Sequence, residues 1–140
     1  MQTATTLLDH MRDPQVDPPC DRKRLRLAAL MVTMGVLHFV VPAPFRRIVP
    51  RWFPWRSEAV AVSGAAELIS GLLMAFPGTK RIGGSLTVVV LAVVFPANVQ
   101  MAVDASTGKP QVKAPAWILW LRLPLQAPMI ASALQVARGT

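Results

Sequence analysis

The sequence predicts an all-α polytopic membrane protein, a four-helix transmembrane bundle, and three observations lead there. Of 140 residues, 53% are hydrophobic and only 16% charged, whereas soluble domains average about 45–50% and about 25%. The apolar residues fall into four blocks, each near the ~20 residues that a spanning helix needs. The 15 Lys+Arg, against 7 Asp+Glu, lie almost wholly between those blocks. A net charge of +8 would suit nucleic acid only on a polar fold with a basic patch, so no nucleic-acid partner is expected. Cys20 is the single cysteine, which excludes a disulfide framework, a CxxC pair and a cysteine zinc site.

Residues 1–24 read as a flexible polar tail, with Pro14, Pro18 and Pro19 breaking any helix that the spacing of Asp9, Asp13, Asp17 and Asp21 would favour. The membrane domain is expected over 25–138. Its first span, 25–41, follows Arg22, Lys23, Arg24 and Arg26. That pattern resembles a secretory signal, but the block is long for one and three more follow, so an uncleaved helix is preferred. The second span is expected at 58–76, the third at 82–103 and the fourth at 116–136. A strand reading of the β-branched run Thr87–Phe95 fails on the length of the block around it.

The connections differ in character. The first, PAPFRRIVPRWFPWR, holds four prolines that forbid one continuous helix, and aromatic residues suited to head groups. It should lie along the interface, with Trp52 and Trp55, and Trp117 and Trp120 at the start of the fourth span, as anchors. The second connection is a tight turn around Gly78, and the third is a polar loop. Four spans put both termini on one side. That side carries eight Lys and Arg against six on the other, which favours cytoplasmic termini under the positive-inside rule.

Chain direction then assigns depth. At 1.5 Å per residue, His38 lies about 5 Å, Glu67 about 14 Å, Arg122 about 9 Å and Gln126 about 15 Å from the end formed by the first and third loops. Asn98 and Gln100 fall in the last turns of the third span, at that same end. Intramembrane ionisable groups are costly and normally pair, so Glu67 and Arg122 are the expected ion pair, with Asn98, Gln126 and His38 meeting their remaining donors and acceptors. A polar network that only fixes helix register explains these residues as well as a ligand site does. The ligand reading adds Pro96, Pro124 and Pro128, which free backbone carbonyls at the same depth. It predicts a cavity lined by His38, Glu67, Asn98, Gln100, Arg122 and Gln126 that holds a quinone or a lipid head group. One histidine beside one acid supplies too few ligands for a metal, and no catalytic signature such as HExxH or GxSxG is present.

The runs GVLHFVVPAPFRRIVPRWFP, SGAAELISGLLM, VFPANVQMAVD and WLRLPLQ together resemble the DoxX family of small four-span bacterial membrane proteins, over about residues 28–135. The resemblance implies a multi-pass protein of the bacterial inner membrane, related to subunits of thiosulfate:quinone oxidoreductases and to MauE-type maturation proteins. It assigns no catalytic residue. The expected function is thus an accessory or binding subunit in the lipid bilayer, with quinone as the possible cofactor and a membrane or redox protein as possible partner. The alternatives are a quinone-linked oxidoreductase subunit and a structural assembly or maturation factor.

Overall fold

The computed structural model describes residues 18–50, 52–109 and 115–139. They form five helices and no strands: α1 (Pro18–Val40), α2 (Pro42–Ile48), α3 (Arg56–Ala75), α4 (Lys80–Ser106) and α5 (Ala116–Arg138). The all-α class is as the sequence predicts. Helix α1 begins inside the stretch expected to be tail, because Pro18 and Pro19 occupy its first turn, where a missing N–H costs nothing. Residues 1–17 of that expected tail lie outside the described residues. The break predicted from the prolines of the first connection falls at Val41, where α2 turns away from α1 by 95°. Pro96, Pro124 and Pro128 sit inside α4 and α5, and both helices continue through them.

Helices α3 and α4 are long and apolar enough to cross a membrane, and the bent pair α1–α2 qualifies as a third if taken as one span. Hydropathy thus supports two or three of the four expected spans. Helix α1 does not qualify alone, and neither does α5, where Arg122, Gln126, Gln135 and two prolines dilute the leucines and isoleucines.

Each long helix packs chiefly on its neighbour in sequence: α1 on α3, α3 on α4 and α4 on α5, with a lesser contact between α1 and α5. One core joins all four, with Leu27, Ala28 and Met31 of α1, Met74 of α3, Val90 and Leu91 of α4, and Ala133 and Val136 of α5. A smaller cluster of Met101, Ala102 and Leu119 packs against Ile48 and draws α2 onto α4 and α5 at the other end. Outward faces carry large apolar side chains, among them Val62, Ile69, Ile82, Val89, Val93, Leu121 and Leu125, all at least half exposed. Water would penalise such a surface, and hydrocarbon would not.

Three glycines set the helix spacing. A Cβ on Gly64 would lie 2.6 Å from the His38 Cβ and 3.3 Å from the Gly35 carbonyl, so α3 and α1 touch there backbone to backbone. Consecutive residues Gly83 and Gly84 face different partners: Gly83 lies against the Ser70–Met74 turn of α3, and Gly84 against Ala133 and Ala137 of α5. Small residues permit this close approach, which in lipid replaces the hydrophobic driving force.

Arg24 ties down the same end. It is buried at 6% exposure, and its Nη1 donates to the carbonyls of Met74 and, at 3.0 Å, Ala75. Those carbonyls end α3 and have no partner within it. Asp21 receives the Arg24 Nε at 3.0 Å, and the Thr79 hydroxyl donates to Leu73 at 2.7 Å. Charge and geometry agree, since a helix C-terminus attracts a cation.

A candidate ligand site between two helix pairs

The end of the molecule that carries α2 holds a cavity of about 270 Å³. Met34 and His38 of α1, Phe45 and Ile48 of α2, and Val60, Ser63 and Glu67 of α3 form one side, and Val93, Val94, Ala97 and Asn98 of α4 the other. Phe53 from the connection closes the end, and Arg122 of α5 joins the wall. The lining is mainly apolar with a few convergent polar groups, the usual make-up of a small-molecule site.

His38 is buried at 8% exposure in the last turn of α1. Its ring stacks on Phe45, centroids 3.8 Å apart and planes 27° from parallel, which fixes α2 against the site. Its Nδ1 lies 2.8 Å from the Met34 carbonyl. A carbonyl only accepts, so Nδ1 carries the hydrogen and donates it there. The Glu67 Oε2 lies 3.1 Å from the same nitrogen, yet receives no hydrogen bond, because the single Nδ1 hydrogen is directed at Met34. Glu67 is buried at 7% exposure. Among the described residues its Oε2 accepts no hydrogen bond, which is costly for so buried an atom.

The expected ion pair is not formed. Glu67 meets His38, whereas Arg122 is exposed and, among the described residues, has no ion pair or hydrogen bond. The reason is helix order: Glu67 is buried where α3 packs on α1, and Arg122 rides on α5, which packs on α4. The two charges share a cavity wall without touching.

The remaining predicted residues divide. Asn98 lines the cavity and donates to the Gln126 Oε1 at 3.5 Å. Gln126, at 6% exposure, donates through Nε2 to the Leu91 carbonyl. Leu91 neighbours Ala92, whose carbonyl loses its usual donor at Pro96, so Gln126 braces α5 against the proline turn of α4. Gln100 is exposed and donates to Asp104 at 2.8 Å, away from the cavity; a later turn of the same helix puts it on another face. Trp52, Trp55, Trp117 and Trp120 are all exposed at the α2 end, and Trp120 donates to the Ser106 hydroxyl at 2.9 Å. Sequence reasoning missed Phe45 and Ser63 as lining residues, and it missed Arg24 as a cap. Ser63 was readable only as a small packing residue, and Arg24 as one cation in a basic run.

The chain belongs to the family described as Domain of unknown function (DUF8561), whose model matches residues 27–137. This overturns the DoxX membership that the sequence blocks suggested, and what that resemblance implied falls with it. All four blocks lie inside the matched region. Apolar spans punctuated by proline, arginine and tryptophan meet the demands of any small multi-pass protein, so their order alone did not discriminate between families. No curated protein and no solved structure matches the chain.

Proposed function

We propose that this chain is a non-catalytic binding protein of a membrane, whose cavity takes up the polar head of an amphipathic molecule, a quinone or a lipid, from the surrounding bilayer. The observation that carries this reading is Glu67: a buried residue at 7% exposure on the wall of a mainly apolar cavity, facing His38 at 3.1 Å, whose Oε2 accepts no hydrogen bond among the described residues. A residue placed only to fix helix register would have its oxygens satisfied by neighbouring helices.

In this reading all four long helices cross. Helices α1, taken without α2, and α5 fall short of a span by hydropathy; the charges of α1 lie in its first turns, and in α5 Gln126 is buried against α4 while Arg122 contributes to the cavity wall. Helix α2, at 95° to α1, lies along the surface with Arg46 and Arg47 exposed, at the level of the four tryptophans, which favour that zone. The termini lie on the cytoplasmic side, following the bias of eight basic residues over six.

The test is to purify the full-length protein with its native lipids and identify by mass spectrometry what co-elutes in stoichiometric amount. A ligand retained by the parent and lost in Glu67→Ala and Arg122→Ala variants that keep their helical content is the expected result. A well-folded parent that carries no such molecule refutes the reading.

A further inference from the structure

The cavity presents an anion and a cation whose hydrogen bonding the protein leaves incomplete. At its buried side is the Glu67 carboxylate, whose Oε2 accepts no hydrogen bond among the described residues. His38 faces that oxygen at 3.1 Å as an ion-pair partner, but its Nδ1 hydrogen is given to Met34. On the wall contributed by α5 is the Arg122 guanidinium, exposed and without an ion pair among the described residues. A ligand that satisfies both must bring donors to the first and an anion to the second.

Several amphiphiles fail one half of that requirement. A quinone carbonyl suits Arg122 but sets lone pairs against Glu67. A glycerol-type anionic head suits Arg122 and offers Glu67 only neutral hydroxyls, and hydrogen bonds between charged groups are stronger. A choline head brings positive charge without any N–H. A primary ammonium joined to a phosphate answers both, because the ammonium carries three donors and full charge, and the phosphate can accept two parallel bonds from the guanidinium. Size agrees: about 270 Å³ is just below the ~300 Å³ at which sites for whole small molecules begin, so a head group enters and its acyl chains remain in the bilayer.

Resting on the binding function argued above, we propose that the cavity is a site for an aminophosphate lipid head group, its ammonium on Glu67 and its phosphate on Arg122. The full-length protein is delipidated in detergent and titrated separately with phosphatidylethanolamine, phosphatidylcholine and phosphatidylglycerol of the same acyl chains, and bound lipid is counted by native mass spectrometry. Phosphatidylethanolamine is expected to bind about tenfold or more tightly than the other two, the effect of a charge-assisted hydrogen bond. Glu67→Gln should abolish that preference, and Arg122→Gln should weaken all three lipids alike, since each carries the phosphate. The three-lipid comparison on the parent needs no variant, so a folding defect cannot mask the answer. Equal affinity for the three lipids overturns the inference, as does a preference unchanged in Glu67→Gln. If a short-chain quinone binds in a Glu67-dependent manner and no lipid is preferred, the inference fails and the binding function stands. If no probe binds at all, both fail.

Discussion

Replacing Arg24 by alanine removes the clamp at the end of α3. The guanidinium donates to two carbonyls, those of Met74 and Ala75, from a site 6% exposed. Hydrogen bonds from a charged donor contribute about 1.5–3 kcal/mol each, and the two carbonyls would be left at a helix end without a donor, that of Met74 buried and that of Ala75 partly so. The cost is therefore about 3–6 kcal/mol, a large share of the ~5–15 kcal/mol that holds a domain folded. Losing the Asp21 contact adds little, since the Asp21 side chain is 34% exposed and can be hydrated. Arg24→Lys should cost less than Arg24→Ala: it keeps a cation at the helix C-terminus, worth ~0.3–1 kcal/mol, but it lacks the planar fork that holds Asp21 through Nε and Nη2 while Nη1 serves the two carbonyls. Unfolding in detergent micelles, followed by far-ultraviolet circular dichroism, measures both variants against the parent. An Arg24→Ala protein within about 1 kcal/mol of the parent would refute the cap as a structural element.

Three further outcomes follow from packing and topology. Gly64→Val should destabilise the same unfolding transition by about 1–3 kcal/mol, the usual cost of overpacking, because its Cβ would sit 2.6 Å from that of His38; Gly78→Ala, with nothing within 4 Å, should be neutral. Gln126→Leu leaves the Leu91 carbonyl without its side-chain donor and should lower stability by about 1–3 kcal/mol; a parental value would mean that α4 satisfies that carbonyl itself. Single-tryptophan variants in sealed vesicles should all be quenched by a soluble quencher from the same side, and one reached only from the other would break the proposed topology.

Block length located α3, α4 and α5 to within a few residues, because burial of backbone polar groups in hydrocarbon dictates helices of that length. The start of α1 was misjudged because proline breaks a helix in its interior but not in its first turn, and composition alone does not tell Pro18 from Pro50. The depth argument brought His38, Glu67, Asn98 and Arg122 to one end, and all four line the cavity. It failed for partners, since rise along a helix gives height but not azimuth. Gln100 has the right height on the wrong face, and Glu67 and Arg122 fall in the same half of the bundle with their helices kept apart by α4. Arg24 was hidden for a different reason: a basic residue that flanks a span reads as a topological signal, and only tertiary contact reveals that this one is consumed in capping another helix.

The positions of the close contacts have a mechanical consequence. Gly71 against Ala28, Gly83 against the Ser70–Met74 turn, and Gly84 against Ala133 and Ala137 lie toward the end where Arg24 grips α3. Toward the cavity, backbone contact persists through Gly64 only between α1 and α3, while α4 and α5 carry the prolines and the Asn98–Gln126 bond of 3.5 Å. The molecule is built like a clothes-peg, with two helix pairs held backbone to backbone at the spring and the cavity between them at the jaws. The spring is the part of the sequence where an added methyl group does the most harm.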